Sequence, residues 1–168
     1  MGAGYTTLGC CIHEQTNSHH SFDPVLYEGY KVVQPLEADL VLAQNEIKSA
    51  DHIVIVFPIW WGGMPALLKG FIDRVFLPGF AFKYREGSLW WDKLLQGKSA
   101  HIIATMDTPP WYFRFFYKDA GINQMKRTIL QFCGVAPVKV TRIGSVKDTN
   151  NAWKNSWLAK IKDFGRNA

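Results

Sequence analysis

The chain has 168 residues and a hydrophobic fraction of 48%, which excludes disorder and fits one domain, residues 1–168, able to bury about 70% of the unfolded chain's surface. The formal net charge of +5 comes from 19 Lys and Arg against 14 Asp and Glu, scattered without the basic stripe that nucleic acid demands. No apolar run approaches the ~20 residues of a stable membrane insertion, and the three cysteines, Cys10, Cys11 and Cys133, lack C-x-x-C spacing, which argues for a reducing cytoplasmic setting rather than a disulfide framework.

Met1-Gly2-Ala3-Gly4-Tyr5-Thr6 fits the myristoylation pattern, but that pattern is short and common by chance. Residues 5–12, rich in Thr, Cys and Ile, read as a strand paired in parallel beside a later one. His13, His19 and His20 with Cys10 and Cys11 match no zinc spacing, and no metal is expected. Pro35 reads as the start of a helix with Leu36, Leu40, Ala43 and Ile47 on one side. Residues 52–57, His-Ile-Val-Ile-Val-Phe, form a β-branched run expected to be buried on both faces of a parallel sheet. Pro65 suits the first position of the next helix, where Leu67, Leu68, Phe71, Ile72, Val75 and Phe76 share a face.

Phe80, Phe82 and Tyr84 alternate as a short extended segment, and Ser99 to Thr105 reads as a second buried strand. An aromatic loop is expected over residues 106–121, then an amphipathic helix over 122–133 closed at Gly134. Residues 138–143 alternate more and read as a strand nearer an edge, before a last helix marked by Trp153, Trp157, Ile161 and Phe164. Strands alternating with helices imply βαβ units and a doubly wound parallel sheet.

Between the first buried strand and its helix lies Pro58-Ile59-Trp60-Trp61-Gly62-Gly63-Met64, at the carboxyl end of a strand, where open α/β sheets bind ligands. Two tryptophans held by two glycines on a turn offer indole faces for stacking and backbone N–H groups for a ring's polar edge. The loop Thr105-Met106-Asp107-Thr108 follows the next strand at the same sheet edge. Trp111 and Tyr112 open a run to Lys118 dense enough in aromatics to form a pocket wall, lid or interface. Cys133, at the apolar end of a helix, reads as a packing thiol.

The strand ending in Phe-Pro, the Trp-Trp-Gly turn, Pro-Ala-Leu-Leu-Lys-Gly-Phe, Asp-Arg-Val-Phe and Gly-Phe-Ala-Phe-x-Tyr resemble the flavodoxin-like NAD(P)H:quinone oxidoreductases. This family includes DT-diaphorase, the modulator-of-drug-activity proteins and ancillary subunits of potassium efflux systems. The resemblance runs over residues 22–165 and implies an N-terminally shortened flavodoxin-like α/β fold. It also implies bound FMN or FAD, NAD(P)H as reductant, a ping-pong hydride transfer to a quinone-like acceptor, and a homodimer. It places Pro58, Ile59, Trp60, Trp61, Gly62, Gly63, Thr105, Met106, Asp107 and Thr108 at the flavin, with Trp111 and Tyr112 in the substrate pocket. Tyr112 and Tyr117 fall in the region where DT-diaphorase uses a tyrosine and a histidine, but no histidine is present, so no catalytic residue is assigned.

Only 21 residues precede Phe22, whereas a βαβ unit needs ~30. Either residues 5–12 are the first strand of the sheet and the second is missing, or they stand for the second and the centre is lost. The first arrangement is physically cheaper, because losing strand 2 of a 2-1-3-4-5 sheet trims an edge. In both, residues 13–24 are too few for a phosphate loop and helix, so a flavin is expected to be held mainly by its ring. A non-catalytic regulatory or binding subunit, or a truncated relative unable to hold flavin, is the alternative reading.

Overall fold

The computed structural model describes residues 5–8, 22–147 and 149–166, the first group as backbone only. In chain order it runs β1 (Tyr5–Leu8), α1 (Ala38–Ser49), β2 (His52–Pro58), α2 (Ala66–Val75), β3 (Phe82–Tyr84), β4 (Trp91–Lys93) and β5 (Ser99–Thr105). There follow α3 (Pro110–Phe115), α4 (Ala120–Asn123), a π-helical segment (Gln124–Leu130), α5 (Gln131–Cys133), β6 (Val138–Ile143) and α6 (Asn151–Arg166). The main sheet is parallel in the order β1-β2-β5-β6. Among the described residues that is the 1-3-4-5 part of the flavodoxin-like order. Tyr5 aligns with His52 and Leu8 with Ile55, so the front segment takes the place of the first strand. Residues 9–12 of the expected strand, the histidine cluster and the expected phosphate loop lie outside the described residues.

One face of the sheet is built for burial. Ile53, Ile55 and Phe57 of β2 and Ala100 and Ile102 of β5 pack with Leu40 and Ile47 of α1 and Leu68, Ile72 and Val75 of α2. Each such side chain contributes about 1.5–3 kcal/mol when fully buried. The opposite face departs from expectation. Burial alternates along β2, and Val56 is 42% exposed. The described cover on that side is α6, which buries none of its residues fully and reaches the sheet through Phe164 beside His101, with ring centroids 5.3 Å apart.

Helix starts also shift for physical reasons. Helix α1 begins at Ala38 rather than at Pro35, with Glu37 as cap residue. The Glu37 side chain is engaged, accepting the Asp23 N–H at 3.1 Å and the Arg74 guanidinium at 2.8 Å. Pro65 is the extended cap residue of α2 (ψ 144°) rather than its first helical residue. The 106–121 segment is not a plain loop. Pro110 seeds α3, since its fixed φ suits a first helical turn, and α4 starts at Ala120 rather than at Ile122. Gly134 does close the helical stretch, with φ 102°. The extended segment at Phe82 gains an antiparallel partner, β4, pairing Phe82 with Lys93 and Tyr84 with Trp91.

Arg74 is fully buried. Its guanidinium donates to the Asp23 carbonyl at 2.5 Å, the Pro35 carbonyl at 2.7 Å and the Glu37 carboxylate. One buried cation thereby ties the irregular stretch between residues 22 and 37 to α2, leaving only its Nε without a partner. The Asp23 N–H bond first, and the Arg74 charge with it, hold the Glu37 carboxyl below its ordinary range.

Candidate functional site

The sheet edge at the carboxyl ends of β2 and β5 carries both predicted loops. Pro58 pairs with Thr105 across the strands, and the Ile59 N–H donates to the Thr105 carbonyl at 2.7 Å. The chain then reverses in four residues. The Trp60 N–H donates to the Gly63 carbonyl at 3.0 Å and the Gly63 N–H to the Trp60 carbonyl at 2.9 Å. Trp61 has φ 50° and Gly62 has φ 79°, the double positive φ of a type I′ turn. Glycine adopts this freely. Tryptophan does not, and holding it there costs about 1–3 kcal/mol. Trp61 is fully exposed and Trp60 is 56% exposed, so neither indole is core filler.

A second chain segment locks this turn. The Gly121 N–H donates to the Gly62 carbonyl at 3.0 Å. A Cβ on Gly121 would lie 2.8 Å from both that oxygen and the Gly63 Cα, so only glycine permits the approach. Just before it, Lys118 and Asp119 both adopt φ 53°, a left-handed pair of non-glycine residues. Asp119 is buried, and its carboxylate takes a two-pronged grip from Arg142 of β6, at 3.0 Å to Nε and 2.5 Å to Nη2. The Asn123 side-chain amide donates to the Lys118 carbonyl at 2.6 Å.

Between these anchors stands the aromatic segment. Phe113 is buried with Ala104, Met106 and Ile122, and Ile59 packs against that cluster, which joins the Trp-Trp turn to α3. Tyr112 stacks on Phe116 at 4.5 Å and 18°, and Trp111 meets Tyr112 edge-on at 5.7 Å. Trp111, Phe115, Phe116 and Tyr117 face outward. The Gly62–Gly121 bond and the Ile59–Phe113 cluster thus set the Trp60–Gly63 turn beside the segment that carries Trp111 and Tyr112.

The second loop is held more tightly than its sequence indicates. Met106 is buried, and its N–H donates to the Ile143 carbonyl at 2.8 Å, so Met106 supports the loop from beneath. One Asp107 oxygen accepts the Lys147 N–H at 3.1 Å. Thr105 and Thr108 are half-buried beside it. Burial pushes the Cys133 thiol up to about 12, so it is protonated at neutral pH and serves packing. Among the described residues no cluster of His, Cys, Asp and Glu is placed to hold a metal. Asp119, Arg142 and Gly121 escaped sequence reasoning. Arg142 and Asp119 lie 23 positions apart, and no local pattern couples them.

This edge suits a flat conjugated ring. Two outward indoles supply stacking faces, and among the described residues the N–H groups of Trp61 and Gly62 have no hydrogen-bond acceptor. They are free at the turn's tip for a ring's polar edge, as a flavin requires. The parallel order β1-β2-β5-β6 with helices between its strands is that of a flavodoxin-like α/β protein.

Comparison with known proteins agrees. The chain belongs to the flavodoxin-like fold family, whose profile matches residues 14–163, so the resemblance begins before Phe22. The rat protein named ribosyldihydronicotinamide dehydrogenase [quinone] is 43% identical over 154 residues, covering 82% of this chain and 62% of that one. A Haemophilus influenzae protein named as an uncharacterized NAD(P)H oxidoreductase is 31% identical over 109 residues, covering 64% of this chain and 53% of its own. The crystal structure of Smu.1420 from Streptococcus mutans superposes with a TM-score of 0.73 at 38% identity, covering 88% of this chain and 78% of that one. The chain spans about half the length of several curated relatives that it matches.

Proposed function

We propose that the chain is a flavin-dependent NAD(P)H oxidoreductase that passes hydride to a quinone-like acceptor by a ping-pong mechanism, acting as a cytoplasmic homodimer. The observation that carries this reading is the Trp60–Gly63 turn, held at the sheet's carboxyl edge with its indoles outward and its tip N–H groups without an acceptor among the described residues. The relatives' names, NAD(P)H oxidoreductase and quinone dehydrogenase, support the same reaction class.

A bound FMN or FAD would accept hydride from reduced nicotinamide and deliver it to the acceptor. The chain's residues orient and shield. Trp60 and Trp61 would offer stacking faces to the ring, and the Trp61 and Gly62 N–H groups would be donors for its polar edge. Thr105 and Thr108 offer hydroxyls from the adjoining loop, and Asp107 contributes a carboxylate already turned toward Lys147. Trp111 and Tyr112 wall the space where nicotinamide and quinone alternate. Reducing the quinone to its hydroquinone also takes up one proton, which solvent or the hydroxyl of Tyr112 would supply at this rim.

Purification followed by absorbance spectroscopy tests the proposal. Stoichiometric flavin, and turnover of NADH or NADPH with a benzoquinone in the absence of any partner protein, are the expected results. A colourless chain that takes up neither FMN nor FAD would refute it.

A further inference from the structure

We infer that Arg142 and Asp119 are positioning residues for the flavin-stacking turn, acting through Gly121. The inference rests on the flavin reading above and adds the element that sets the turn's place. The Trp60–Gly63 reversal is closed by its own two hydrogen bonds, but these fix only its internal shape. The Ile59 N–H on the Thr105 carbonyl ties its root to β5, and its tip is placed by Gly121, whose N–H grips the Gly62 carbonyl and whose missing Cβ permits the contact.

Gly121 in turn has its place set by Asp119, two residues earlier. Lys118 and Asp119 both hold a left-handed backbone that neither residue prefers. A strained pair persists only where its surroundings over-determine it: the Asn123 amide holds the Lys118 carbonyl, the Phe113 carbonyl accepts the Asp119 N–H, and Arg142 ties the corner to the sheet. This arginine sits in β6, aligned with Ala104 in the sheet, and its planar fork reads both carboxylate oxygens of Asp119. A fork fixes orientation as well as distance, which a point charge does not. The rigid sheet thus positions the turn through an ion pair, a strained corner and a glycine contact. The same corner ends the Trp111–Tyr117 segment, so one pair aligns both walls of the rim.

Amide hydrogen exchange and flavin titration, measured on Arg142→Gln, Asp119→Asn, the double variant and Arg142→Lys, separate this role from bulk stability. Arg85→Gln serves as control, because it breaks the exposed Arg85–Asp92 pair on the distant hairpin. The expected result is faster exchange at the Gly121 and Gly63 amides in both single variants, with amides in β2 and β5 unchanged. FMN affinity falls about tenfold or more, the double variant is no worse than the singles, and the control matches wild type. Arg142→Lys recovers little, since an ammonium cannot reproduce the fork; this variant also carries the test should Arg142→Gln fail to fold. Unchanged exchange at Gly121 and Gly63 in folded variants, or independent additive losses in the double, would overturn the inference. A wild-type chain that binds no FMN sinks the proposed function alone, because the exchange measurement still decides whether the pair sets the turn.

Discussion

Trp61 concentrates the conflict between stability and function in one residue. Its φ of 50° belongs to glycine's territory, and its indole lies fully in solvent, so it returns little packing for the strain it carries. Strain of this kind with little packing in return is the observation behind the proposed ligand role of Trp61. Trp61→Gly is therefore expected to leave the free protein as stable as wild type or more so by about 1 kcal/mol, as relief of the left-handed penalty predicts. The same change removes a stacking face, and FMN binding should weaken by about tenfold or more. Thermal melts and fluorescence titration on one preparation give both numbers. A variant that melts lower while binding FMN normally would assign Trp61 to the fold instead.

At the scale of elements, β2, β5 and β6 were legible because short β-branched runs between turn signals have few alternatives. The ends of β5 and β6 match the expected residues, Ser99–Thr105 and Val138–Ile143. The partner strand β4 was not legible, since three residues, Trp91–Lys93, carry no period of their own and are defined only by pairing with β3. The π-helical segment at Gln124–Leu130 was read as ordinary helix, because the apolar spacing of Met125, Ile129 and Leu130 tolerates either winding. Arg74 was hidden for another reason. An arginine in an amphipathic helix reads as solvated, and its acceptors are mostly backbone carbonyls from a distant stretch. Arg74→Ala should destabilise the chain by about 3–5 kcal/mol, because it leaves the carbonyls and Glu37 without their buried partner. Denaturant unfolding measures this, and a loss below about 1 kcal/mol would show that water replaces the guanidinium.

The half-covered face of the sheet gives a second test at this scale. His52 bonds to the Ser99 hydroxyl at 2.7 Å and His101 to the Thr141 hydroxyl at 2.8 Å. Burial chiefly pushes both imidazoles below their ordinary value of 6.5, helped by the charge of Lys139 at His52 and by those of His52 and then Lys139 at His101. The fold thus favours the neutral rings, and the unfolded chain binds more protons. Stability is complete above the ordinary imidazole range and declines as pH falls below it through the lowered values. The melting temperature should drop between about pH 7 and about pH 5, where histidine titrates, and His101→Gln should drop less. A profile equally steep in that variant would place the sensitivity elsewhere.

At the scale of the whole molecule, the described residues expose a run of large aromatic side chains. Trp60, Trp61, Trp111, Phe115, Phe116 and Tyr117 are all exposed along or beside one rim, and Val56 lies open on the sheet. Contiguous patches beyond a few hundred Å² mark interfaces or ligand sites, and one flat ring cannot cover six aromatic side chains. A second copy can, and a two-fold arrangement needs only that the patch complement itself. Tryptophan, tyrosine and phenylalanine are also the residues enriched where interfaces close. Wild-type protein at about 10 μM should therefore scatter light as a dimer, within the range of a standard interface. Phe115 is the residue to change, since it is exposed and stacks on no neighbouring ring among the described residues. Phe115→Glu should shift the population to monomer, by placing a desolvated charge at the contact, while the secondary structure stays intact. Monomeric wild type at that concentration would mean that the aromatic rim is covered only by ligand.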